Sequence, residues 1–310
     1  MTEREIAAGG TQAGLEPSPA ALGDEHGKVE GRTQREIIWR RFKRHKLAMV
    51  GGVVLLLLFL AALAAPALAP YEYDEIDYTA INQGPNASHP MGADNLGRDE
   101  LTRVLYGGRV SLLVGLSVGV FSTLLGAVVG IVAGYYGRFV DVGAMGFVDF
   151  MLTLPFLPVL LVLGKIYQFT AITIAAAVAL LVWMPIARLV RGQVLSVRNQ
   201  EYVQAAHAIG VSGPRTMLRH IFPNVVGVMV VQATLITGEA ILIESALSFL
   251  GLGIQPPTPS WGNMLEDART TMTTQWWLTY FPGLMIVVTV LCVNFLGDGL
   301  RDALDPKAVE

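Results

Sequence analysis

Charge is what this chain has least of: 15% of its 310 residues are Asp, Glu, Lys or Arg, against about 25% in an ordinary soluble domain. With 53% hydrophobic content, that scarcity excludes a typical soluble fold and points to a membrane protein. Cysteine is nearly absent. Cys292 stands alone in an apolar run, so no intramolecular disulfide can form and the redox compartment stays open. The five histidines, at 26, 45, 89, 207 and 220, form no HExxH or similar zinc pattern, and no Ser/His/Asp arrangement offers a nucleophile. For His89, with no second His or Cys at ligand spacing, a structural use is favoured over a metal site. No Gly-x-x-x-x-Gly-Lys-Ser/Thr phosphate loop occurs, so ATP is not hydrolysed by that route. Neither an enzyme, a cofactor, a metal nor a nucleic-acid partner is expected, and no inverted repeat of the secondary-transporter kind stands out. Residues 1–31 have no aromatic residue, which predicts disorder, since too little surface is available to offset chain entropy.

The apolar residues gather into six runs: Leu47 to Ala69, Val110 to Gly134, Gly143 to Gly164, Ala171 to Leu195, Val225 to Ile243 and Tyr280 to Leu296. Each is near or above the ~20 residues a helix needs to cross ~30 Å of hydrocarbon. None alternates as a transmembrane strand would. The chain is therefore read as an all-α integral membrane protein with six transmembrane helices. Arg32, Arg35, Arg40, Arg41, Lys43, Arg44 and Lys46 precede the first run, and Arg138, Arg188, Arg191, Arg198, Arg215, Arg219, Arg301 and Lys307 fall on the same side by alternation. Both termini are thereby predicted to be cytoplasmic, with Glu72, Asp74, Glu75, Asp77 and residues 246–279 outside. Ala65-Pro66-Ala67-Leu68-Ala69 suits a signal peptidase, but the run and its lead are too long, and an uncleaved anchor is expected. Ile38 and Phe42, at helical spacing among basic residues, predict an interfacial helix on the lipid bilayer over 32–46.

Several features go beyond spanning. Gly115, Gly119, Gly126, Gly130 and Gly134 give three GxxxG pairs on one helical face, a spacing that lets helices approach backbone to backbone. Packing inside the bundle is favoured over dimerisation. Asp99 and Glu100 open a short helix, with Arg103 placed to pair with Asp99 and Gly107-Gly108 to end it. Pro155, Pro158 and Pro185 interrupt two runs, as cavity edges or simple kinks. Glu239 and Glu244, at membrane depth, are candidates to face a translocation path or a partner. Between two apolar runs lies the polar stretch EYVQAAHAIGVSGPRTMLRHIFPN, residues 201–224. It predicts two short helices with a corner at Gly210 and a stop at Pro223, while Ala205, Ala206 and Ala208 would let a partner come close.

That stretch resembles the EAA loop of ABC importer permeases: Gln204-Ala205-Ala206, Gly210 six residues after Gln204, and His220-Ile221-Phe222-Pro223. It departs from the pattern where Gln204 replaces a Glu, His220 an Ile and Phe222 a Leu. Glu201, one turn earlier, could supply the carboxylate. Met91-Gly92-x-Asp94-x-x-Gly97-Arg98-Asp99, the stretch 244–262 and the ending 297–306 resemble the dipeptide, oligopeptide and nickel permease group, C-type subunit, although Gly146 stands where the group commonly has an Arg three residues before Asp149.

The resemblance implies a type I importer permease (MetI-like) core. It also implies a homologous permease as heterodimer partner, two ATP-binding cassette subunits and an extracytoplasmic substrate-binding protein. Coupling to the ATPases would run through Glu201, Gln204, Ala205, Ala206, Gly210 and Pro223. The expected layout is a disordered 1–31, an interfacial 32–46, a first span and outer segment over 47–109, a transmembrane domain over 110–306 with the loop at 199–224, and a tail at 307–310. Peptides, nickel chelates or other small solutes fit as cargo. A secondary transporter or channel is the alternative.

Overall fold

A computed structural model of the chain describes residues 34–304. The segment 1–31, read as disordered, and the tail 307–310 lie outside the described residues. Those residues form thirteen α-helices and one π-helical turn, with no strand beyond two isolated bridges.

Helix α1 (Gln34–Arg44) stacks Lys43 over Trp39 at 5.1 Å and brings Phe42 near Gly299 of α13 (Trp276–Leu304). His45 caps α2 (Lys46–Leu63), its Nδ1 accepting from Ala48 N at 3.1 Å. Nearly all of α2 is apolar surface, and it docks on α13 where Gly51 leaves no room: a Cβ there would lie 2.9 Å from the Cys292 carbonyl. After the short α3 (Ala65–Leu68) and an irregular cap segment comes α4 (Glu100–Tyr136), 37 residues and about 55 Å long at 1.5 Å per residue. Asp99 caps it, accepting from Thr102 N at 2.8 Å, as acidic residues at a helix start should. Gly107-Gly108 does not end this helix. The two glycines instead receive the Trp261 indole, whose Nε1 donates to Val104 O at 3.0 Å.

Helices α5 (Arg138–Thr153) and α6 (Phe156–Ile166) meet at 75°, and α7 (Ala171–Val182) and α8 (Met184–Arg198) at 46°. Pro155 caps α6, and Pro158 and Pro185 sit in first turns, where a missing N–H costs no helical bond. The prolines therefore mark where a second helix begins. After α9 (Glu201–Ala208), α10 (Gly213–Thr216) passes through a π turn (Met217–Ile221) into α11 (Phe222–Phe249). Pro223 does not stop the chain as expected. The wider turn accommodates it, and the Asn224 side-chain amide donates to His220 O at 2.6 Å. The short α12 (Trp261–Asp267) leads to α13. Four helices are long and apolar enough to cross a membrane, and six spans result if each bent pair is one.

The core is built around α4. The five stripe glycines share one face of it, but two partners divide that face. A Cβ on Gly115 or Gly119 would meet Ile241, Thr237 and the Ala233 carbonyl of α11, and one on Gly126, Gly130 or Gly134 would meet Ile186, Ala187, Val190 and Val194 of α8. Along that seam Val114, Val118 and Ile131 interlock with Val190, Val194 and Ile236.

Candidate functional site

At the loop end, α9 is an eight-residue helix set across the tips of α4 and α8. Val203 and Ala206 face inward and are buried, while Glu201, Gln204, Ala205, His207, Ala208, Ile209 and Gly210 are exposed. Ala206 points inward, where a small residue fits α9 against its own chain. Gly210 has φ +81°, the left-handed region that side chains disfavour. Its N–H bonds to His207 O at 3.0 Å and the Val211 N–H to Ala206 O at 3.0 Å, the paired bonds of a Schellman stop. No atom lies within 4 Å of a Cβ built on Gly210. The need for glycine is therefore in the backbone.

Three contacts fasten the loop to α4. The Tyr135 hydroxyl and His207 Nε2 lie 2.9 Å apart with their rings stacked. Arg198 donates to Gly134 O at 3.3 Å and Tyr135 O at 2.8 Å, filling carbonyls that the helix end leaves open. Gly213 lies against the Tyr135 ring. Gln204 turns its amide back to Asn199 O at 3.3 Å, a donation that a glutamate could not make. Glu201 stands in the first turn of α9, where the helix dipole favours it. His220 lies beside Tyr202. On α8, Arg191 grips Asp141 with a 2.6 Å second contact, and Arg188 pairs with Asp149. The charge missing at Gly146 is thus supplied from another helix.

The cap end holds a buried cluster that local reasoning missed. Arg98 Nε donates to Asp94 at 2.7 Å and its NH2 group to Asp267 at 3.1 Å. Arg103 reaches the same two carboxylates at 3.2 and 2.9 Å. The expected Arg103 to Asp99 pair is not formed, because Asp99 caps α4 and also meets His89 Nδ1 at 2.9 Å. His89, stacked on Tyr71, is structural. Among the described residues no group of three metal-binding side chains occurs.

The two membrane-depth carboxylates part company. Glu244 is fully buried. It accepts from Ser248 Oγ at 2.8 Å and Ser111 Oγ at 3.1 Å, and Ser111 Oγ in turn accepts from Trp261 N at 3.2 Å. It joins α4, α11 and α12 within the chain, and the serines that satisfy it also enclose it. Glu239 is exposed on α11, in a stripe with Leu242, Ala246 and Leu250.

A bundle of bilayer-length helices with a small helix presented on a glycine corner at one end defines a multi-pass membrane transport subunit. Residues 126–310 match the model of the binding-protein-dependent transport system inner membrane component, and residues 33–85 match the N-terminal TM domain of oligopeptide transport permease C. The chain is 43% identical over 270 residues to a putative peptide permease protein of Brucella ovis, covering 86% of this chain and 89% of the relative. It is 43% identical to the dipeptide transport system permease protein DppC of Bacillus subtilis, covering 87% and 84%. It is 39% identical to the oligopeptide transport system permease protein OppC of Haemophilus influenzae, covering 91% and 92%. The chain belongs to the binding-protein-dependent transport system inner membrane component family, as a permease subunit of an ABC importer of the dipeptide, oligopeptide and nickel group.

Proposed function

We propose that this permease carries short peptides inward as one half of a translocation path, paired with a homologous permease. Two ATP-binding cassette subunits drive it, and an extracytoplasmic binding protein delivers the cargo. Peptides are favoured over nickel or another solute because the relatives are named for peptides, dipeptides and oligopeptides. Both termini and the loop end lie in the cytoplasm in this reading, as the basic residues require.

One observation carries the coupling role: α9 keeps Val203 and Ala206 against its own chain and turns Glu201, Gln204, Ala205 and Gly210 outward. A short exposed helix whose outer face carries Ala205 and Ala208 between polar side chains fits a groove on an ATPase subunit. Glu239, exposed at membrane depth, is assigned to the path or the partner permease, since exposure of a carboxylate to lipid costs about 2.5–3.5 kcal/mol on insertion scales. In a Cys292→Ser background, Ala205→Cys should cross-link to the ATPase subunit of the assembled transporter and Ala206→Cys should not. A link at 206 without one at 205 would overturn the docking geometry. Uptake of labelled dipeptide, oligopeptide and nickel by the same complex then separates the substrate classes.

A further inference from the structure

The loop end contains one polar tie between α9 and α4, and the docking surface does not use it. Tyr135 is 6% exposed. Its ring stacks on His207 with centroids 5.9 Å apart and 14° between planes, and it meets Tyr136 edge-on at 5.2 Å. A Cβ on Gly213 would stand 3.1 Å from it, and Arg198 holds the Tyr135 carbonyl at 2.8 Å. The Tyr135 side chain therefore gathers α9 and the start of α10 onto the last turn of α4, and its carbonyl holds the end of α8. Beyond it, the glycine seam packs α4 closely against α8 and α11, and close packing passes strain on rather than absorbing it. At the far end of α4, Arg103 is buried between Asp94 and Asp267.

We propose that the contact between the Tyr135 hydroxyl and His207 is the joint through which a displacement of α9 becomes a displacement of α4, which makes Tyr135 a positioning residue for transport. This rests on the reading that α9 docks on an ATPase subunit. The apolar contacts of Val203 and Ala206 can slide, whereas a directed bond to a stacked ring fixes both distance and angle. With the joint intact, a pull on α9 has to move α4. With the joint cut, α9 shifts alone.

The test uses the complete transporter in lipid with its binding protein and a peptide. Tyr135→Phe keeps the ring and its packing on Gly213 and removes only the hydroxyl. Basal ATP hydrolysis and the Ala205→Cys cross-link should persist, while stimulation of hydrolysis by loaded binding protein falls at least fivefold. His207→Ala should lower the stimulation equally, the double variant should be no worse than either single one, and His207→Gln, which places an amide near the Nε2 position, should restore part of it. A purely structural tyrosine would instead reduce the yield of complex and leave the stimulation of each assembled complex unchanged. Unchanged stimulation in Tyr135→Phe with the cross-link present, or losses that multiply in the double variant, would overturn the joint alone. Absence of the cross-link in the otherwise unmodified transporter would remove the docking reading and the joint together.

Discussion

At the cap end, α4 carries Arg103 into a largely buried set, Arg98, Arg103 and Asp94 buried and Asp267 partly so, joined by four charge-assisted contacts of 2.7 to 3.2 Å, while at the loop end a tyrosine hydroxyl meets a histidine on an exposed helix. The two fastenings differ in kind. A buried, mutually satisfied ion set breaks only with a large penalty, because any partner left behind is an uncompensated charge. A single hydrogen bond contributes about 0.5–1.5 kcal/mol, and it is directional. The cap end is thus suited to hold, and the loop end, through the proposed joint, to transmit.

The contrast is broken most severely by Arg103→Leu, which removes two of the four contacts and leaves Asp94 and Asp267 to Arg98 alone. A loss of 3–5 kcal/mol or so is expected, seen as a large fall in the thermal midpoint of the purified permease. Next comes Gly119→Val, since even its Cβ would lie 2.2 Å from Thr237 Oγ1 and 2.6 Å from the Ala233 carbonyl. Overpacking of that kind costs about 1–3 kcal/mol. Gly146→Val, with no atom within 4 Å, is the control that should leave the midpoint unmoved. Glu244→Leu removes the acceptor of Ser111 and Ser248 and should destabilise by about 1–3 kcal/mol. Glu244→Gln keeps an acceptor and should do markedly less, and equal effects of the two would contradict the enclosed geometry.

At the loop end, Gly210→Val must adopt a left-handed backbone at about 1–2 kcal/mol. Uptake should fall far more than the thermal midpoint, and Gly210→Asn should retain most transport because asparagine tolerates that region. The smallest effect belongs to Asp77, whose carboxyl is held below the usual carboxylate range by the Thr79 hydroxyl and N–H and by nearby His89. Its contribution is complete above the unfolded value of about 3.9 and is lost as pH falls through the lower folded value. In acid titration of the cap segment, Asp77→Asn should remove that step and cost a small amount of stability at neutral pH, where the carboxylate's contribution is complete.

Much of the frame was legible because the governing patterns are local. Apolar runs marked the spans, Asp99 was recognisable as a helix opener, and Gly210 as a corner. Where reasoning from neighbours failed, the partner was far along the chain. Arg103 was given to Asp99 because helical spacing allows it, yet Asp267, 164 positions away, competes better. Gly107-Gly108 looked like a break until Trp261 was seen to fill the space. The glycine stripe was visible as one face, but no periodicity says that two helices share it. Pro223 read as a stop because the π turn that absorbs it has no simple sequence signal.

Glu239 and Glu244 sit five residues apart on one helix, one exposed and the other enclosed. The exposed one bears on biogenesis. On the proposed assignment of Glu239 to the partner permease, a copy inserted alone would leave that carboxylate without its cover, and at about 2.5–3.5 kcal/mol lipid exposure would disfavour the solitary inserted form roughly a hundredfold, at 1.36 kcal/mol per decade. The residue would then serve as a proofreading signal for stoichiometry. Glu239→Gln should lengthen the lifetime of the chain expressed without its companion, as read by pulse-chase, and have no such effect when the two are made together.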